Sequence, residues 1–255
     1  MALPDSLISR RQLVLATAAS LASLPAWAQA PKTVKLVVPF PPGGSTDILA
    51  RAIGARLATQ MGITVVIENK GGAAGSVGAG EVARMAPDGA TLMMGHIGTL
   101  AINPSIYPKL PYDPVKSYEP IGMVARVPLI LLAHKDVPVG NLKQLTAAVR
   151  ATPDKYVYGS FGNGTTGHFA AELAWSATGI KLLHVPYRGS APAMADLMGG
   201  QIPFTIDTVA AALPQLKAGK IKAIAVTGAT RATQLPDVPT VAESGFPGFS
   251  ADSWL

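Results

Sequence analysis

The 255-residue chain contains no cysteine. That excludes thiolate catalysis, thiolate metal sites and disulfides, so the hydrophobic core must supply the stability alone. Beyond the first thirty residues, no segment reaches the roughly 20 apolar residues needed to span a bilayer without meeting Gly, Pro or a charge. There is no Gly-x-x-x-x-Gly-Lys-Ser/Thr phosphate loop, no Gly-x-Ser-x-Gly and no His-Glu-x-x-His, which argues against the corresponding nucleotide-binding and hydrolytic chemistries. Lys and Arg are scattered, without the basic stripe and interleaved aromatics of a nucleic-acid binder, so no nucleic acid is expected as partner.

What the chain does contain begins with an export signal. Arg10-Arg11 precede an uncharged run from Leu13 to Leu24 that closes with Ala26-Trp27-Ala28, the pattern of a signal peptide over residues 1–28. Ser9-Arg10-Arg11-Gln12-Leu13 also has the look of a twin-arginine signal. Cleavage after Ala28 leaves about 227 residues with 19 basic and 14 acidic side chains, a net charge of about +5 that weakly suits anionic ligands. The mature chain is expected in the periplasm, folded as two lobes with separate cores.

Continuous β-branched and apolar runs predict strands at Lys35–Pro39, Ile63–Glu68, Thr91–Met94, Pro128–Ala133, Tyr156–Ser160, Leu182–Pro186, Pro203–Ile206 and Ile221–Val226. Helical patterns fall between them, at Ile48–Gln60, Gly78–Met85, Asn141–Arg150, Thr166–Thr178, Ala191–Met198 and Ala210–Ala218. The class is therefore α/β with mainly parallel sheets. Between Asn103 and Pro120 five prolines crowd in and an irregular segment is expected, with a crossover to the second lobe near Arg126–Pro128 and a return within Leu235–Phe249.

Two stretches have the form of anion sockets. In the first, strand Val34–Val38 runs through Pro39-Phe-Pro-Pro-Gly-Gly-Ser-Thr-Asp47 into a helix whose Leu49, Ile53 and Leu57 predict one buried face. A helix start leaves backbone N–H groups free and carries partial positive charge, while Gly43 and Gly44 let the backbone approach a ligand. In the second, Tyr156–Ser160 leads into Phe161-Gly-Asn-Gly-Thr-Thr-Gly-His168 and another helix. One such socket per lobe would let closure aim two helix starts at one small anion.

With these residues in view the chain resembles the Bug family, the solute receptors of tripartite tricarboxylate transporters. The resemblance runs along the whole chain and rests on the first loop, Glu68-Asn-Lys-Gly-Gly-Ala-Ala-Gly, Ala86-Pro-Asp-Gly-Ala-Thr-Leu, Gly159-Ser-Phe-Gly-Asn-Gly-Thr-Thr-Gly-His and Val185-Pro-Tyr-Arg-Gly-Ser-Ala-Pro-Ala. It implies a type II-like, two-lobed periplasmic binding protein, not an enzyme and without a cofactor, capturing a small organic carboxylate for membrane transporter subunits or a sensor ectodomain, as a monomer. The lobes implied are residues 29–126 with 249–255, and 127–248. On matching positions it implicates Phe40, Gly43, Gly44, Ser45, Thr46 and Asp47 from the first loop, and Ser160, Gly164, Thr165, Thr166 and His168 from the second. Family members continue past the position of Ser253-Trp254-Leu255, so lobe one is expected to lack its C-terminal part.

Several residues carry two readings. Asp47 either stabilises its helix start or touches ligand through an ammonium, hydroxyl or water. His168 either pairs with Glu172 on its own helix or donates to a carboxylate. Tyr187 and Arg188 follow a strand end, where Arg188 could clamp a carboxylate or make an ion pair elsewhere. Asp207 could receive an ammonium or hydroxyl, or cap the next helix. Gly162–Gly167 satisfies Gly-x-Gly-x-x-Gly, but no acidic residue follows about 20 positions later to bind a ribose, so a nucleotide is not expected. His96, His134 and His184 read as structural, and no metal is expected. A hydrolase built on Ser160 and His168 is the distant alternative, short of a carboxylate to orient the imidazole.

Overall fold

The computed structural model describes residues 32–255 apart from Asp154, and the expected signal peptide lies outside the described residues. The described chain opens with β1 (Thr33–Val38), α1 (Ser45–Met61), β2 (Thr64–Asn69), α2 (Ser76–Val82) and β3 (Thr91–Met93). These strands make a three-stranded parallel sheet in the order β2-β1-β3, with Leu36 opposite Ile67 on one side and Leu92 on the other. The central strand is the most buried, as expected of a parallel sheet covered by its own crossovers.

Helix α1 begins three residues before the apolar periodicity predicts, because its first turn, Ser45-Thr46-Asp47, is polar yet buried. Its core face is centred on Ala50 and Gly54, with Leu49, Ile53 and Leu57 only partly buried at the flanks. A Cβ on Gly54 would lie 3.0 Å from Ile67 Cδ1, so the missing side chain brings helix and sheet together. Gly62 ends the helix in the left-handed conformation, its N–H bonded to Ala58 O.

The predicted irregular segment, from Asn103, opens instead on the short α3 (Asn103–Ile106), which continues a helical turn Gly98–Ile102, before the later prolines break the pattern. β4 (Arg126–His134) follows, then α4 (Leu142–Ala151), β5 (Val157–Ser160), α5 (Thr166–Thr178), β6 (Leu183–Pro186), α6 (Ser190–Met198), β7 (Phe204–Thr208), α7 (Val209–Lys217), β8 (Ile221–Val226) and β9 (Asp252–Trp254). The second sheet has the order β6-β5-β7-β4-β8. It is mixed: β5 is parallel to β6 and β7, whereas β4 runs antiparallel to β7 and β8.

β4 explains how one strand serves two cores. Leu129, Leu131 and Ala133 point to a cluster shared with α4 and α5, while Ile130 and Leu132 point to one shared with α6 and α7. Both faces of this strand are covered, hence its unbroken apolar sequence. Its first three residues pair instead with β9, and there Val127 and Leu255 pack with Leu36 and Val38 of β1, Ala50 of α1 and Met94 just after β3. The strand answering β4 is thus Asp252–Trp254, downstream of the Pro- and Gly-rich Leu235–Phe249. Among the described residues no helix is long and apolar enough to cross a membrane.

Candidate functional site

Parallel strands end together, and the loops leaving them meet at one edge. At the C-terminal ends of β1, β3, β5, β6 and β7 these loops border about 390 Å³ of space, part of it open to solvent. The first loop supplies Phe40, Pro41, Gly44, Ser45 and Thr46, and β3 is followed by His96. The opposite wall is Phe161 after β5, Gly189 and Ser190 at the start of α6, and Asp207 and Thr208 at the start of α7. The two walls are close. A Cβ on Gly44 would stand 3.8 Å from Ser190 Cβ, and one on Gly189 would stand 3.2 Å from Pro41.

The chemistry of this cavity is that of dipoles and hydroxyls. Neither α1 nor α6 has a side-chain cap, so their first-turn N–H groups are left for other partners. Helix α7 is capped internally, Thr208 Oγ1 accepting from Ala211 N at 3.3 Å. Among the described residues no Lys or Arg side chain lines the space. An anion here would be held by N–H groups, hydroxyls and helix fields rather than by an ion pair.

Asp47, in the first turn of α1, faces away from the cavity wall. Its Oδ2 accepts from Gly43 N–H at 3.0 Å and Arg51 Nε at 3.1 Å, and its Oδ1 accepts from Asn69 Nδ2 at 3.0 Å and meets the Arg51 guanidinium at 2.9 Å. Burial alone would raise its carboxyl, but the bonds from Arg51, Gly43 and Asn69 outweigh burial and hold it below the ordinary carboxylate value. Asn69 Nδ2 also donates to Phe40 O at 3.1 Å. Asp47 therefore shapes the loop that presents Gly44, Ser45 and Thr46, with Gly43 at φ +89° making the turn.

Of the second predicted loop, Phe161 reaches the cavity wall while the residues after it lie beside the cavity. Thr165 Oγ1 donates to Gly162 O at 2.6 Å, and Thr166 Oγ1 is buried without a partner. Gly164 donates its N–H to His168 Nδ1 at 3.3 Å. A Cβ on Gly167 would meet the Phe161 ring at 2.6 Å, which places that ring over the start of α5. Phe161, rather than the α5 N–H groups, is what this loop turns to the cavity.

Ser160 pairs with His184, not with His168: Ser160 Oγ and His184 Nε2 are 2.7 Å apart. The two imidazoles stack at 4.1 Å, and His184 stacks on Tyr158, whose hydroxyl donates to Glu172 Oε1 at 2.5 Å. Burial, reinforced by His168, pushes His184 down to about 4. Glu172 thus answers Tyr158 rather than His168. Tyr187 is also turned inward, donating to Asp196 Oδ2 at 2.7 Å, and Arg188 is exposed, away from the wall.

Of the sequence-selected residues, Phe40, Gly44, Ser45, Thr46 and Asp207 line the cavity. Sequence reading missed Gly189 and Ser190, one residue beyond the Tyr187-Arg188 pair it selected. It also read His96 as structural, whereas this imidazole is in the wall, edge-on to Phe40 at 4.8 Å. His96 Nδ1 accepts from Gly98 N–H at 2.9 Å and Nε2 lies 3.1 Å from Ser253 Oγ. Burial pushes it down to about 4, so at neutral pH it is uncharged. Its position after a parallel strand was the signal available. Among the described residues no group of three His, Asp or Glu is placed to hold a metal ion.

Comparison with known proteins places this geometry among receptors. The profile of the family described as "Tripartite tricarboxylate transporter family receptor" matches residues 49–255. BugT of Bordetella pertussis is 35% identical over 244 residues, 95% of this chain and 75% of that protein. The chain spans 66% and 64% of two further curated relatives, from a Pseudomonas species and Agrobacterium vitis. The two-lobed α/β fold is shared with the periplasmic binding protein BugD at a TM-score of 0.82 and 41% identity, over 87% of this chain and 74% of that one. An R. palustris protein solved with adipate matches at 0.86 and 41%, over 89% and 76%. MatC from Rhodopseudomonas palustris with bound malate matches at 0.80 and 36%, over 87% and 76%.

Proposed function

The chain belongs to the family of tripartite tricarboxylate transporter receptors, and from that premise we propose that it is a periplasmic solute-binding protein for a small organic carboxylate, exported by residues 1–28. The observation that carries this reading is the convergence of two uncapped helix starts, α1 and α6, on one cavity that no cationic side chain among the described residues lines. Such a site suits a carboxylate, which gains N–H and hydroxyl donors without a fixed counter-ion. The adipate and malate held by two of its structural relatives belong to this class.

In this reading the ligand carboxylate sits between Gly44, Ser45 and Thr46 on one side and Gly189 and Ser190 on the other. Gly43 and Asp47 set the first loop, and Phe40, Phe161 and His96 bound the rest of the space. The second loop, with Ser160, Gly164, Thr165, Thr166 and His168, backs the Phe161 wall. Residues 29–126 with 249–255 act as one lobe and 127–248 as the other; the separate clusters around Leu36 and Leu129 support the division, with Val127 packing in the first cluster and Phe249 and Ala251 against the second. Lobe closure over the ligand would present one face to the membrane subunits of a tripartite transporter.

The test is thermal unfolding of the chain against succinate, malate, adipate, citrate, aspartate and benzoate. A ligand at 100 times its dissociation constant stabilises a protein by about 2.7 kcal/mol, so at least one acid should raise the melting temperature by several degrees. A folded protein that none of them shifts would overturn the carboxylate reading.

A further inference from the structure

The inference rests on the receptor reading above and concerns the one carboxylate that the described residues place in the cavity wall. Asp207, at 1% exposure, closes the side made by the starts of α6 and α7. Its Oδ2 accepts from the Ser190 hydroxyl; its Oδ1 accepts from Thr208 N–H at 2.7 Å and lies 3.5 Å from the Thr208 hydroxyl. None of these partners carries charge. On β4 the residue in register is Ile130. On α6 the acidic Asp196 is held by Tyr187, and on α1 Asp47 is held by Arg51 and Asn69. His96 is the other titratable side chain in the wall, and its burial keeps it neutral.

A ligand carboxylate entering this space meets a second carboxylate with no cation between them. Two such groups in a poorly solvated site do not both stay ionised. The ligand already has the N–H groups of α1 and α6 to stabilise its charge, so the proton belongs on the wall group. We propose that Asp207 takes up one proton when the cavity captures a carboxylate, and that its new O–H donates to a ligand oxygen. The proton comes from the buffer acid, which leaves as its conjugate base; the only covalent bond made is the Asp207 O–H. Burial, only partly countered by the Ser190 and Thr208 bonds, already pushes the carboxyl of the empty site up to about 6, and the facing ligand carboxylate pushes it further up.

Calorimetric titration of malate and adipate at pH 7.5, in two buffers of different ionisation enthalpy, counts the protons. Wild-type protein should take up close to one proton per ligand, and its affinity should fall about tenfold per pH unit between pH 7 and 8.5, as one-proton linkage requires. D207N should take up none, with affinity nearly flat across that range. Should D207N not fold, His96→Gln decides, because uptake that survives H96Q points to Asp207 and uptake that vanishes overturns the proposal. Binding without proton uptake, or uptake that persists in folded D207N, overturns it while leaving the receptor reading standing. If neither those two acids nor any other of the panel binds folded wild-type protein, the receptor reading fails and this inference with it.

Discussion

Replacing Asp47 by Asn tests whether this residue builds the binding loop or touches the ligand. Its two oxygens receive four donors: Gly43 N–H, Asn69 Nδ2 and both sides of the Arg51 guanidinium. An asparagine keeps the shape but presents one oxygen and one N–H₂, so either Gly43 N–H or Asn69 Nδ2 faces a donor. Gly43 is exposed and Asn69 half-buried, so the donor that loses its acceptor costs about 1 kcal/mol, the low end for a buried group, and loss of the negative charge at the α1 start adds about 0.3–1 kcal/mol. The Arg51 guanidinium faces solvent and is left out of the sum. D47N should therefore lower unfolding stability at pH 7 by about 1–2 kcal/mol, read from urea denaturation. Because Asp47 is held below its ordinary value in the fold, its contribution is present above the unfolded carboxylate value and fades as pH falls through the folded one, so the gap between the two proteins should narrow in acid. Equal stability of the two proteins at pH 7 would refute the loop-building account. Equal stability with abolished ligand binding would move Asp47 into direct contact with the ligand.

The wall carboxylate should show the opposite pH sign even without ligand. Burial pushes the Asp207 carboxyl in the fold up to about 6 against an ordinary 3.8, so the folded state binds its proton more tightly, and wild type should lose about 2 kcal/mol relative to D207N as pH rises from 4 to 7. Parallel stability curves for the two proteins would contradict the burial argument. Gly189→Ala should hurt both fold and binding: φ is +111° there and the new methyl would stand 3.2 Å from Pro41, so stability should fall by about 1–3 kcal/mol and carboxylate affinity with it. An unaffected affinity would show that the contact between the two loops is not needed for capture.

The alternation of strand and helix was written in the local pattern. Pro128–Ala133 is apolar without a break because Leu129, Leu131 and Ala133 enter one core while Ile130 and Leu132 enter another, and burial on both faces leaves no room for polar alternation. Gly43-Gly44 before a helix likewise marked the first loop, since a left-handed turn and close backbone approach are local requirements. Family motifs pointed to the receptor family for the same reason: they are short loops whose shape depends on their own residues. Three-dimensional packing decided the rest. Two Gly-rich loops looked alike, yet Phe161 turns its ring over the start of α5, and the cavity is completed instead by Gly189 and Ser190 of α6. β4 runs antiparallel among parallel strands, and β9, only three residues long, has no pattern of its own and exists through its pairing with β4. His96 and Asp207 stand 111 residues apart in the sequence. They line one cavity because β3 and β7 belong to different sheets whose C-terminal ends face one space, and no local signal encodes which loops a chain will bring together.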